Sequence, residues 1–209
     1  YDYVLNLSAL KHVRSEKDVY SVQAFLENNE LPAKALLDLL KEIHPKHFFC
    51  VSTYKAANPV YIMGASKKLM EELIMSYADY FKVSTARFAN VAFSNGSLLA
   101  GFMERLLKKQ PLAAPSDVKR YFVSPKESGE ICLLACILGN NKEIFFPKLD
   151  TTQMMTFSAI ADAFLQSQGY SVHPCQSEEE AKAFAAAMPA DSKRYPVYYH
   201  VSDTTGEKD

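Results

Sequence analysis

The chain has 209 residues, 48% hydrophobic and 22% charged, which is ordinary globular composition with room for one sizeable core or a core plus a small lobe. A formal net charge of −1 lacks the basic surplus that bulk nucleic-acid binding requires. No apolar run is long enough to span a bilayer and no signal peptide is evident, so a reduced, cytoplasmic protein without a membrane segment is expected.

The first residue is Tyr rather than Met, and the chain opens directly on a strand, Tyr3-Val4-Leu5-Asn6-Leu7, as if in mid-domain. Residues 15–29 read as weakly helical. Pro32 at a first-turn position starts a clearer helix over 33–43, with Leu36, Leu37, Leu39 and Leu40 in helical spacing. The apolar run His47-Phe48-Phe49-Cys50-Val51 predicts a buried parallel strand over 47–52. An amphipathic helix follows over about 63–81, then a strand over 83–88 whose carboxyl end is marked by Arg87-Phe88-Ala89-Asn90. Asn95-Gly96-Ser97 reads as a turn and helix start, and 98–108 as a helix ended by Pro111. This alternation with short connections predicts an α/β fold: a parallel sheet with crossover helices.

After Pro111 the texture changes. Short extended pieces at 120–122 and 143–146 alternate with helices at about 126–138, 155–168 and 177–188, the pattern of a small α+β C-terminal lobe. Glu178 to Lys182 reads as a solvated helix face. The expected division is 1–110 and 111–209. The four cysteines show no framework spacing. Cys132 and Cys136, four apart in a helical pattern, read as two buried thiols, and the five histidines show no metal spacing, so no metal is assigned.

In open α/β sheets, ligands bind in the crevice at the carboxyl ends of the strands. The stretch STYKAANPVYIMGASK, Ser52 to Lys67, places hydroxyls at such a strand end and a lysine on the next helix. The plainer alternatives are a strand-end hydroxyl bonding its own backbone and a surface helix lysine. No GxGxxG occurs among the seven glycines, so the strand–turn–helix cradle for a dinucleotide pyrophosphate is missing.

Together with SALKHV, ARFANVAFSNGS, KRYFVSPKESGE and DTTGEK, in that family order, this stretch resembles the extended short-chain dehydrogenase/reductase family. Within it the chain is similar to the CapD-like polysaccharide-biosynthesis branch, the UDP-N-acetylglucosamine 4,6-dehydratases. The resemblance runs from about Tyr3 to the C-terminus. It implies a Rossmann-like sheet whose glycine-loop units would precede Tyr1, leaving an exposed apolar sheet edge. It further implies an NAD(P)-binding part over 1–110 and a nucleotide-sugar lobe over 111–209. NADP or NAD would serve a closed cycle of oxidation at sugar C4, loss of water across C5 and C6, and reduction at C6.

The same resemblance implies the site residues. Thr53, with Ser52 beside it, would hydrogen-bond the sugar oxygen being oxidised. Lys67 would bind the nicotinamide ribose, and Ser8, Ala9 and Ser52 would also face the cofactor. Lys55 would help remove the C5 proton. Two family positions differ in chemistry: Met63 stands where the catalytic tyrosine is usual, and Tyr54 where an aspartate protonates the departing C6 hydroxyl. Tyr61 stands where the family usually has Asn. A thioether cannot accept a proton, although some CapD-like enzymes share the Met. A phenol, with an ordinary pKa of about 10, can donate one. Lys11, Asn90, Arg120 and Lys208 would contact the UDP-sugar. A homo-oligomer is expected, with Leu69, Leu73 and Met75 as apolar surface. Two alternatives stay open: a nucleotide-sugar epimerase or reductase, and a non-catalytic module binding a nucleotide sugar or a partner chain.

Overall fold

The computed structural model describes residues 1–11 and 18–202. The chain runs β1 (Tyr3–Asn6), α1 (Val19–Asn29), α2 (Leu31–Ile43), β2 (His47–Thr53), a 3-10 turn (Tyr54–Ala56), α3 (Ile62–Ser76), β3 (Lys82–Phe88) and β4 (Asn90–Val91). It continues through α4 (Leu98–Leu107), β5 (Leu112–Pro115), β6 (Lys119–Arg120), β7 (Phe122–Val123), α5 (Pro125–Ile137) and β8 (Glu143–Phe145). A second 3-10 turn (Thr151–Gln153), β9 (Met155–Thr156), α6 (Phe157–Ser167), β10 (Ser171–Cys175), α7 (Glu178–Ala187) and β11 (Arg194–His200) complete it. Two compact units interleave in sequence: Tyr1–Ala89 with Val123–Lys148, and Asn90–Phe122 with the chain from Leu149 on.

The first unit is built on a parallel sheet of order β1-β2-β3-β8. Phe48, Phe49 and Cys50 are wholly buried, as a central strand covered on both faces requires. Side chains alternate across a strand. Phe48 and Cys50 therefore join Leu37 and Leu40 of α2, Met70 and Ile74 of α3, and Val83 in one apolar cluster. His47 turns the other way and hydrogen-bonds Ser84, which donates to the Ala135 carbonyl of α5. Helices thus cover both faces. At the outer strand β1, Val4 packs against the core while Tyr3 and Leu5 are exposed.

α3 stops at Ser76, short of the expected 81. Tyr77 and Ala78 turn by bonds to the carbonyls of Ile74 and Met75, and the Tyr77 hydroxyl donates to Asp38 at 2.6 Å. The apolar period continues past the helix because Tyr77, Ala78 and Phe81 fill the same core from a turn. Leu69 is exposed, whereas Leu73 and Met75 pack against this core, so α3 offers less surface for self-association than the sequence predicts.

The second unit holds a parallel sheet of order β10-β11-β5. Its core gathers Phe102, Leu112, Ala114, Ala161, Leu165, Tyr195 and Val197. None of these three strands stands out in the sequence. Pro174 lies on the edge strand β10 and Pro196 on the central β11, and proline argues against strand. α7 carries its three glutamates in the first turn, where they suit the helix dipole, and Glu178 pairs with Lys182 on an exposed face. All four cysteines are buried free thiols. Among the described residues no helix is long and apolar enough to cross a membrane.

Candidate active site

β1 and β2 are parallel, so their carboxyl ends share one edge of the first unit. Ser8 and Ala9 lie exposed beyond β1, with the Ser8 amide and hydroxyl both donating to the Asn6 side chain. Lys11 is exposed two residues further on. At the end of β2, Thr53 caps the following 3-10 turn by accepting from the Lys55 amide at 3.4 Å. Thr53, Tyr54 and Lys55 are half-buried there, and the Lys55 ammonium stands 5.8 Å from the centre of the Tyr61 ring.

Tyr61 begins α3 without a side-chain cap. Gly64 lets that first turn approach closely, since a Cβ there would lie 2.8 Å from the Lys55 carbonyl and 3.3 Å from the Pro59 Cβ. Met63 and Lys67 stack one helical turn apart, both buried. The Lys67 ammonium reaches the Val51 carbonyl at 3.5 Å and the Met70 sulfur at 3.7 Å. Burial pushes the Lys67 pKa down, while Cys50, Glu30 and Glu71 pull it back up. Burial also lifts the Cys50 thiol to about 12, which keeps it protonated and unreactive.

Behind this wall lies a polar cluster. Glu71 is 1% exposed and takes two bonds from Arg87, at 2.9 and 2.6 Å, and one from the Ser52 hydroxyl at 2.5 Å. Ser52 therefore turns its hydroxyl into the interior, whereas Thr53 braces the turn. Asn29 accepts from the Leu10 amide and donates to the Leu10 carbonyl and to Ser66, which itself donates to the Met63 carbonyl. That chain of bonds ties the segment after β1 to the first turn of α3.

Glu30 follows Asn29. Both of its carboxylate oxygens are shut away from solvent without a hydrogen-bond partner among the described residues. Burial raises its pKa to about 7, against the downward pull of its own amide and of Lys67. A carboxyl whose folded pKa exceeds its unfolded value costs nothing below the unfolded value of about 4.3, and the penalty is complete above the folded one. Glu30→Gln is thus expected to raise stability at pH 8 by about 1–2 kcal/mol, after allowance for partial solvent screening, and to leave it unchanged near pH 4. Urea melts at both pH values check this.

The structure brings Ser52, Thr53, Tyr54, Lys55, Met63 and Lys67 together on one strand–turn–helix segment of the first unit, with Ser8, Ala9 and Lys11 at the same sheet edge. Asn90 and Arg120 belong to the second unit. The Asn90 amide donates to the Tyr121 carbonyl, and Arg120 lies on β6, paired antiparallel with β9. Lys208 lies outside the described residues. Sequence reasoning missed Asn29, Glu30, Glu71 and Arg87. The available signal was Glu71 four residues after Lys67, on a face otherwise made of Met63, Met70 and Ile74. One further group, His173, Cys175 and Glu180, brings ligand-type atoms within 4.8 Å of one another. The guanidinium of Arg194 occupies His173 Nδ1 at 2.5 Å, so a cation already holds that face of the imidazole.

Residues 1–185 match the family model described as polysaccharide biosynthesis protein. An uncharacterized membrane protein of Methanocaldococcus jannaschii is 32% identical over 73% of this chain and 47% of its own length. The capsular polysaccharide biosynthesis protein CapD of Staphylococcus aureus is 32% identical over 68% of this chain and 24% of its own. A UDP-N-acetylglucosamine 4,6-dehydratase (inverting) of Campylobacter jejuni is 25% identical over 73% of this chain and 47% of its own. The chain thus spans less than half the length of these curated relatives. Among solved structures, a UDP-N-acetylglucosamine 4-epimerase from Methanobrevibacter ruminantium, in complex with UDP-N-acetylmuramic acid, shares the fold. Its TM-score is 0.71 at 17% identity, over 99% of this chain and 65% of that one. Matching motifs, the parallel sheet with helices on both faces and the family match agree: the chain belongs to the polysaccharide biosynthesis protein family, as a CapD-like member of the extended short-chain dehydrogenases/reductases.

Proposed function

We propose that the chain forms the cofactor- and sugar-facing part of a nucleotide-sugar 4,6-dehydratase, acting in the cytoplasm as a homo-oligomer on UDP-N-acetylglucosamine for surface polysaccharide synthesis. One observation carries this reading: Thr53, Lys55 and Lys67 stand on a single strand–turn–helix segment at the carboxyl edge of a parallel sheet. Relatives named for capsular polysaccharide synthesis and for UDP-N-acetylglucosamine dehydration support it.

The residues suit the nicotinamide end of a cofactor, since the exposed Ser8 and Ala9 lie beyond β1 at the edge where Thr53 ends the neighbouring strand, and Lys67 stands in the second turn of the helix that follows. The chain contributes no glycine-rich pyrophosphate cradle. Bound NADP or NAD would supply the redox chemistry, taking hydrogen from sugar C4 and returning it at C6. Thr53 orients the C4 oxygen by a hydrogen bond, and the C4 hydroxyl proton passes to Lys67, Lys55 or a bound water, since the Met63 thioether cannot take it. Lys55, beside the Tyr61 ring, removes the C5 proton, which requires it to be neutral at that moment. Tyr54 gives a proton to the departing C6 oxygen. Lys67 would hold the nicotinamide ribose, Met63 packs one helical turn before it on α3, and Ser52 braces the wall through Glu71. Lys11, Asn90, Arg120 and Lys208 carry the nucleotide contacts.

The test is product analysis with the full-length protein, UDP-N-acetylglucosamine and NADP in deuterated water. A 4-keto-6-deoxy product lighter by one water, with deuterium at C5, is expected. A product that keeps its C6 oxygen would select the epimerase or reductase reading, which Tyr54 favours because a phenol replaces the acid. Binding of the UDP-sugar without turnover would select the non-catalytic module.

A further inference from the structure

Phe93 holds a backbone conformation that its side chain resists. Its φ is +55°, in the left-handed region that a bulky residue rarely enters. Among the described residues, three other non-glycines share that region, and each ends a helix or a turn: His44 caps α2, Lys109 follows α4 and Lys142 precedes β8. Phe93 is instead the third residue of a turn closed by the Ser94 amide on the Val91 carbonyl at 3.3 Å. Glycine or asparagine fills such a place without strain. The core does not demand a phenyl group here either, since Phe93 is 44% exposed. Strained residues of this kind are concentrated where a site needs a side chain held in one place.

The surroundings of the ring narrow what it holds. Phe93 leans on Phe164 of α6, with centroids 6.4 Å apart and planes at 47°. Phe164 stands 6.3 Å from Phe102, which is wholly buried in the core of the second unit. The phenyl is therefore an anchored shelf with part of its surface open to solvent. Asn90, three residues earlier, donates its amide to the Tyr121 carbonyl at 3.2 Å, which sets Arg120 next to the short strand that leads into the turn. A flat apolar shelf framed by amide and guanidinium groups suits a hexose. The ring C–H bonds carry slight positive charge and meet the negative face of the phenyl, while hydroxyls turn to the polar rim. A nucleobase also stacks on a phenyl. A guanidinium, however, suits the diphosphate, and the diphosphate is bonded directly to the sugar and separated from the base by a whole ribose.

We propose that Phe93 is a specificity-determining residue whose ring packs against the C–H face of the hexose of a nucleotide sugar. The left-handed turn fixes the ring in advance, at the expense of backbone strain in the folded chain. That the ligand is a nucleotide sugar rests on the proposed function. The shelf itself lies wholly within the second unit.

The experiment is calorimetric titration of the full-length protein with UDP-N-acetylglucosamine and, separately, with UDP. Phe93→Gly is expected to weaken the sugar nucleotide about 3–10-fold and to leave UDP within about twofold. Phe93→Tyr keeps the ring and should bind as the unaltered protein does. Phe93→Gly should melt no lower than the unaltered protein, because glycine enters positive φ freely. If that variant does not fold, Phe93→Leu makes the same comparison, keeping apolar bulk without a flat face. Unchanged binding of UDP-N-acetylglucosamine by the variant would overturn the proposal. So would equal weakening of UDP and its sugar conjugate, which would place a part other than the hexose on the ring. An unaltered protein that binds neither ligand would overturn the proposed function together with this inference. One that releases 4-keto sugar while Phe93→Gly keeps full affinity would overturn this inference alone.

Discussion

Glu71→Ala is expected to lower folding stability by about 3–5 kcal/mol, because removing one partner of a buried ion pair leaves the other charge uncompensated. Glu71 is 1% exposed and its partner Arg87 only 18% exposed in the side chain, so water can replace little of what is lost. The alanine would also leave the Ser52 hydroxyl without its acceptor. A domain's stability is about 5–15 kcal/mol, so this one change would remove a large share of it. Urea denaturation gives the value through the midpoint, provided the slope is unchanged. Replacing both partners by methionine is the control. Apolar replacement of a whole buried pair is often neutral, so the double variant should recover most of the loss. A loss below about 1 kcal/mol for Glu71→Ala would show a solvated pair with surface-bridge energetics.

Lys67→Met is expected to lower turnover by about 10²–10⁴-fold, the range of a lost acid–base or positioning group. The fold should survive, and at pH 6 the melting temperature should not fall. Lys67 is 4% exposed, burial already disfavours its charge, and among the described residues its ammonium finds only a carbonyl and a thioether sulfur within bonding reach. Methionine fills nearly the same volume without a charge to desolvate. Residues that lower stability while serving a site give this pattern, a stable and inactive variant. Turnover is read as release of 4-keto sugar by the full-length protein, beside a thermal melt of the same sample. Retained turnover would remove Lys67 from the proposed machinery. Lost turnover with a lower melting temperature would make Lys67 a structural residue.

The legible parts of the sequence share a cause. The run His47 to Val51 reads as a buried strand because a strand covered on both faces must be apolar at every position. The helix after it reads from its period, while the roles expected of Thr53, Lys55 and Lys67 come from the resemblance of that segment to the family's motif. The end of α3 was not legible, since Tyr77, Ala78 and Phe81 keep the apolar period while the backbone turns. The strands of the second sheet were hidden by Pro174 and Pro196, which pattern reading treats as breakers.

The sequence by itself determined the alternation of strand and helix in the first unit, the family, and the residues at the carboxyl end of β2. All of these depend on neighbours within about twenty positions of one another, or on the order of motifs. Only the tertiary structure decided that Ser52 turns inward to Glu71, that Arg87 closes on that carboxylate, and that Asn29 bonds Ser66 while the Glu30 carboxyl beside it loses its water. These facts join residues 16 to 37 positions apart, and burial rather than residue type sets their chemistry. A glutamate on a polar helix junction looks like any surface acid until packing removes the solvent that would make it one.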